Sequence, residues 1–180
     1  MKRKIKLYSV DRLNYPDRNI MAEVVDTLDL DKMSSKEVKY AVKKSIVTVR
    51  DATLGEVIYT IPKVYYEGKI YIVPETSVTV TEDHIRKGAK VVTNPIGEEF
   101  LIGSKSSFDK QYKVSDNGYE SNDGVNCFRR SVGNYIIKSS WGEQIVLKGS
   151  YFCITRPNAV YGITNIAFDN DYEIIEKNKR

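Results

Sequence analysis

Several residue types that carry chemistry are scarce in this chain. It has one histidine, His84, one tryptophan, two cysteines and three methionines in 180 residues. A Ser-His-Asp or Cys-His relay would have to be assembled around His84 alone, and that residue sits in the polar turn Thr81-Glu82-Asp83-His84. Glu82, Asp83 and His84 are adjacent, so they are not spaced to converge on a metal. Cys127 and Cys153 lie far apart with no histidine near either, which excludes a disulfide framework and a zinc knuckle and suits buried thiols in a reducing compartment. Gly97, Gly103 and Gly118 form neither a dinucleotide fingerprint nor a phosphate loop. Glu98 and Glu99 are neighbours in an extended stretch and point to opposite faces, so they cannot share a substrate. No catalytic residue, metal or cofactor is expected, and the chain is read as a non-enzyme.

Long apolar runs are also missing. No segment approaches the length of a membrane span, and the N-terminal MKRKIKLYSVD has a basic cluster but neither a long apolar core nor a small-residue cleavage site. A soluble protein of the cytoplasm is expected. The net charge is only +4, and much of the excess lies at the two ends, so composition permits a nucleic-acid partner without arguing for one.

Tyrosine is abundant. Thirteen tyrosines with many Val, Ile and Thr favour sheet, because aromatic and β-branched side chains pack well on a pleated surface. A stretch of the chain recurs. Lys87 to Tyr112 and Lys148 to Tyr172 both open on Lys-Gly, carry an aromatic twelve residues after the Gly (Phe100, Tyr161) and an Ile two further on (Ile102, Ile163), and close on Phe-x-x-x-Tyr. The spacing from Phe100 to Phe108 is one residue longer than that from Tyr161 to Phe168, which a turn absorbs. The expected unit is a hairpin followed by a helical turn, with Thr164 as N-cap in the second copy and Ser106 or Ser107 in the first. The alternative is two β-rich segments that share aromatics by chance.

Elsewhere, Ile5 to Val10 reads as a strand. Ile20, Met21, Val24, Val25 and Leu28 fall on one helical face, and Ser34 with Glu37 forms a capping box before Val38, Ala41, Val42 and Ile46 at helical spacing. From Ile46 the pattern is strand: Val57 to Ile61, a hairpin of Val64 to Tyr66 with Lys69 to Val73 across Glu67-Gly68, and Ser77 to Thr81. Ser115 to Gly124 is a long hairpin loop or a linker, and Asn134 to Leu147 returns to strand around Trp141-Gly142. The class expected is α+β, a mostly antiparallel sheet with two N-proximal helices and a tandem hairpin-plus-turn unit, divided as 1–114 and 115–180.

Trp141-Gly142, Lys148-Gly149-Ser150-Tyr151, Tyr161-Gly162-Ile163 and Phe168 with Tyr172 together resemble the phage-encoded PGDYG domain family, over roughly the last seventy residues. The Pro and Asp that name the family are absent, with Leu147 and Ser150 in their place. The resemblance implies a bacteriophage setting, hence a host cytoplasm, and carries no catalytic residues with it. Two partner-binding regions follow from the side chains. Ser115 to Arg130 interrupts the regular β pattern and carries Tyr119, Phe128, Arg129 and Arg130, an aromatic and arginine set of the kind that forms hot spots. The hairpin with Tyr65, Lys69 and Tyr71 is the other. In the competing reading Phe128 is a core residue and the loop a linker. The functional expectation is a phage-type accessory protein that binds and blocks a host protein, with a nucleotide- or nucleic-acid-binding module as the alternative, since rings and cations interleave at Lys63, Tyr65, Tyr66 and Lys69. A homo-oligomer is compatible with either.

Overall fold

A computed structural model describes residues 1–26, 29–74, 76–122, 124–139, 142–155 and 160–175. The chain is mostly β, 54% strand against 14% helix, with eighteen strands in four sheets and four short helices among the described residues. In order these are β1 (Lys2–Ser9), β2 (Arg18–Val25), α1 (Leu30–Met33), β3 (Ser34–Lys43), β4 (Ile46–Asp51), β5 (Val57–Thr60), β6 (Lys63–Tyr66), β7 (Lys69–Ile72), β8 (Thr76–Thr79) and α2 (Glu82–Arg86). Then follow β9 (Lys90–Thr93), β10 (Glu99–Ile102), α3 (Lys105–Gln111), β11 (Tyr112–Ser115), β12 (Gly118–Ser121), β13 (Val125–Ser131) and β14 (Tyr135–Ser139). The chain ends with β15 (Gly142–Val146), β16 (Tyr151–Cys153), β17 (Tyr161–Ile163), α4 (Asn165–Asp171) and β18 (Tyr172–Ile175).

The α+β class is overturned, because both expected N-proximal helices are strands. In β2 the core face is Ile20 and Ala22, while Met21 points to solvent and puts an apolar residue where an alternating pattern needs a polar one. Strand β3 lies between β13 and β18, partly covered on both faces, so its alternation is blurred into a helix-like spacing. Ser34 ends a helix: its hydroxyl donates to Leu30 O of α1 (2.6 Å). The stretch 115–124 is mainly the β11–β12 hairpin, and the break at 156–158 and Trp141 fall outside the described residues.

The two copies of the recurring stretch fold alike. One five-stranded sheet has the order β10-β9-β4-β12-β11 and another β17-β16-β13-β3-β18. Their registers match residue by residue. Val49 faces Val92 and Val92 faces Phe100 in the first, as Phe128 faces Cys153 and Cys153 faces Tyr161 in the second. The Ala52 N–H donates to Ala89 O (3.2 Å) and the equivalent Ser131 N–H to Ser150 O (2.8 Å). Gly88 and Gly149, at φ +75° and +90°, enter β9 and β16 through the left-handed region that glycine tolerates.

The helices match as well. Ser104 caps α3 through the Ser107 N–H (3.1 Å) and Thr164 caps α4 through the Ala167 N–H (3.2 Å), so the first cap lies two residues before the Ser106 expected. Phe108 stacks on Tyr112 with ring centroids at 5.3 Å, Phe168 on Tyr172 at 5.6 Å, and each Phe is buried against its own sheet.

The copies are interlocked. Along the chain, β3 leads into β4 and β12 leads into β13, so each five-stranded sheet takes in the strand that precedes the other's central strand. The Lys44 N–H donates to Asp171 O (2.7 Å) where β3 leaves, and the Asn122 N–H to Gln111 O (2.6 Å) where β12 leaves.

Three hairpins make the remaining large sheet, β15-β14-β2-β1-β7-β6. It curls on itself. Leu7, Val64, Tyr66, Tyr71, Ile136 and Leu147, drawn from both of its ends, share one buried cluster. Asn134 ties the ends together, its Nδ2 donating to the Tyr66 hydroxyl (3.1 Å) and its Oδ1 accepting from the Lys148 N–H (2.9 Å).

Two side-chain amides close strand edges. Asn165 accepts from the Tyr65 N–H (2.9 Å) and donates to Tyr65 O (2.6 Å), and Gln144 does the same for Gly162 at 2.9 and 2.8 Å. At Gly162 there is no room for more, since a Cβ there would lie 2.2 Å from Val146 Cγ2. Leu101 occupies the matching position in the other copy. Replacing Gly162 by Ala is expected to cost about 1–3 kcal/mol through overpacking, and adding Val146→Ala is expected to return part of it; thermal denaturation of the two variants measures both.

Candidate partner-binding surface

The outer face of the curled sheet is its accessible side. Backbone alternation sends Ile5 and Leu7 of β1 inward and Lys2, Lys4, Lys6 and Tyr8 outward. Tyr8 pairs with Ile72, which pairs with Lys63, and Tyr65 pairs with Ile70 in the next row. The Val10 N–H donates to Ile70 O (3.5 Å), so Val10, Ile70 and Tyr65 form a cross-strand row. All three are exposed, Tyr65 by 53%, and Tyr8 beside them is exposed as well. An apolar and aromatic strip thus lies open, with Lys6 and Lys63 at its margin.

The Asn165 clasp fixes the end of that strip. By satisfying both backbone groups of Tyr65, it holds the strand while leaving the ring outside. Arg130 joins the same neighbourhood. Its Nη2 and the Asn165 Nδ2 both lie within 3.7 Å of where a Cβ on Gly149 would sit. Residues distant in sequence, Tyr65 and Arg130, are therefore brought to one edge.

The other sequence-derived positions are spread out. Phe128 is fully enclosed among Phe168, Tyr172 and Tyr151, and Tyr71 is buried with its ring against Tyr15. Tyr119 is half-buried, edge-on to Phe108 at 5.3 Å. Arg129 is half-buried and pairs with Asp31 at 3.2 Å. Lys69 is exposed on the far side of its strand, with its ammonium 5.6 Å from the Tyr15 ring. Tyr8, Val10 and Ile70 were not singled out from sequence. Their signal was a strand whose two faces both carry apolar or aromatic residues, and only the register tells which face is outside.

The charges around the strip are ordered. Asp17 accepts from the Ser9 N–H (2.8 Å), which lowers its pKa, with Arg12 and Lys6 adding to the effect. The Arg18 guanidinium holds Glu67 at 2.7 Å and lowers its pKa, with Lys148 contributing. Glu98 goes the other way. Burial raises its pKa, against the Asn94 Nδ2 hydrogen bond (3.0 Å), and the nearby Asp171 carboxylate raises it further while Lys63 opposes. His84 is part of a cap: its Nδ1 accepts from the Thr81 N–H (3.0 Å) while the Thr81 hydroxyl accepts from the His84 N–H (3.2 Å). Among the described residues no three His, Cys, Asp or Glu side chains gather as a metal site, and no helix is long and apolar enough to cross a membrane.

A raised folded-state pKa means that the contribution of Glu98 to stability is full at low pH, below the unfolded pKa, and is lost as pH rises through the folded value. Glu98→Gln is accordingly expected to raise the melting temperature at neutral pH and to make progressively less difference as the pH falls into the carboxylate range. His84→Ala, which removes half of a capping box, is expected to cost about 1 kcal/mol and to leave partner binding intact, as read by denaturation and by capture assays side by side. Compared with known proteins, the chain matches no family model, no curated protein and no solved structure.

Proposed function

We propose that this chain is a binding protein, without catalysis of its own, that engages a host protein through the outer face of its curled sheet and so blocks it. The observation that carries the reading is the cross-strand row of Tyr65, Ile70 and Val10, with Tyr8 alongside and cations at the margin. Exposed apolar residues that form a contiguous patch mark interaction sites, and tyrosine with arginine dominates interface energetics. A partner with an apolar centre and an acidic border would complement Lys6, Lys63 and Arg130. The phage-type setting implied by the PGDYG resemblance makes a bacterial protein the partner to seek.

A nucleotide or nucleic acid is the second reading, favoured by Lys2, Lys4, Lys6 and Tyr8 on one face of β1. Lysines that contact phosphates would give binding that weakens steeply with salt, and a ring would add stacking.

Affinity capture from nuclease-treated bacterial lysate, followed by mass spectrometry, tests the first reading. The wild-type protein is expected to retain a defined protein, and a Tyr65→Ala/Ile70→Ser variant to lose it with little change in melting temperature, since surface substitutions usually cost little. Equal capture by a folded double variant would remove this face from the interface. Capture that vanishes with nuclease, together with salt-sensitive binding of an oligonucleotide, would favour the second reading.

A further inference from the structure

The two interlocked sheets each end on a strand that has no further strand beside it among the described residues: β11 in one and β18 in the other. They are equivalent strands. Tyr112 and Tyr172 start them, each stacked on the Phe four residues earlier, and Val114 and Ile174 follow at the same position with 76% and 52% of their surface exposed. Between them lie Lys113 and Glu173, again at one equivalent position and opposite in charge.

Backbone hydrogen bonds set which groups face outward. Asn122 donates to Gln111 O, which makes 122 and 111 a bonded pair, and alternation then turns the backbone of residues 112 and 114 away from β12; the Tyr112 N–H is taken up by Phe108 O at the end of α3, which leaves Tyr112 O and the Val114 N–H for a neighbouring strand. Lys44 donates to Asp171 O, and the same alternation turns the backbone of Ile174 away from β3, while the Tyr172 N–H is held by Phe168 O at the end of α4. An antiparallel approach of β11 from one molecule to β18 of another, with Tyr112 opposite Ile174, puts Lys113 opposite Glu173 in a pair without hydrogen bonds, where side chains come closest. In that register Tyr112 and Val114 lie on the same side as Tyr172 and Ile174, so the layers carrying α3 and α4 run on continuously. The two five-stranded sheets would become one of ten strands.

We infer that the chain associates with further copies of itself through this edge-to-edge pairing of β11 with β18. The contact is heterologous, so each copy keeps one edge of each kind and the assembly either closes into a ring or grows. Unpaired edges are templates of this sort, and the matched charges select the register and partner edge. Lys113 also pairs with Glu120 (3.2 Å) and Glu173 with Lys44 within one molecule, so an intermolecular contact would join two exposed ion pairs into a network.

Sedimentation velocity of the full chain over a wide concentration range tests this. The average mass is expected to rise with concentration. Lys113→Glu alone and Glu173→Lys alone are each expected to weaken association about tenfold or more, and the two together to restore it. Val114→Pro removes an outward N–H that the β11–β12 ladder does not use, and is expected to give a folded, monomeric protein. Circular dichroism and melting temperature separate lost association from lost folding. A chain that stays monomeric throughout, or associates regardless of the single charge changes, or is not restored by the double change, overturns the inference. Tyr65→Ala should leave self-association unchanged, which keeps this result apart from that for the proposed partner face.

Discussion

The strand from Ser34 to Lys43 is the element on which the rest of the structure depends. It runs between β13 and β18, pairing with Val125 to Ser131 on one side and Tyr172 to Ile175 on the other. Without it β18 would have no neighbour and the Phe168–Tyr172 stack would cover a gap. Because β3 continues directly into β4, the centre of the other sheet, the two halves of the chain are stitched together by backbone hydrogen bonds and not only by side-chain contact. Such bonds are directional and must be made by every buried amide, so the exchange fixes the relative registers of both copies.

That interlocking leaves strand edges to be managed, and amide side chains manage two of them. Asn165 and Gln144 each present a carbonyl and an NH2 to one backbone residue, Tyr65 and Gly162 respectively, in the place of a neighbouring strand. A third contact, from the Thr60 hydroxyl to Glu99 O (3.0 Å), sets the β5–β8 ribbon against β10. These contacts satisfy polar groups that would otherwise be desolvated without partners, at a cost of about 1–3 kcal/mol each. They also determine what is left open. The side chains of Tyr8, Tyr65 and Ile70 on β1, β6 and β7 are left exposed, although Asn165 bonds the backbone of Tyr65 and the Tyr15 hydroxyl that of Ile70.

Electrostatics follows the same division. Arg50 is bound by Glu56 at 2.7 Å and approaches Glu99 at 3.4 Å, and it holds the Glu56 pKa down to about 2 together with the Thr53 N–H. Arg129, at the position in β13 that matches Arg50 in β4, instead meets Asp31. The two copies share their apolar clasp, Phe with Tyr four residues on, while the ionic contacts around it differ between them. Packing against a sheet constrains ring size and spacing closely, whereas an exposed ion pair adds little to stability and can be replaced freely.

Local signals were enough for much of this. The Lys-Gly, the aromatic twelve residues on, and the Phe-x-x-x-Tyr mark a hairpin and a capped helical turn because turn chemistry, capping and i to i+4 stacking act over a few residues and are written in those residues. The β6–β7 hairpin across Glu67-Gly68 was legible for the same reason. What the sequence could not determine was the state of β2 and β3 or the outward side of Tyr65, Tyr8 and Ile70. An apolar residue at Met21 that faces solvent, and a strand half-covered on both faces such as β3, each erase the period of two that distinguishes strand from helix. Phe128 and Tyr71 differ from Tyr65 in which face of their sheet is covered: Tyr71 pairs with Val64 and Ile70 with Tyr65, on opposite faces of one hairpin. That choice is made by long-range pairing, β3 with β13 and β1 with β7, and it is therefore a property of the tertiary structure alone.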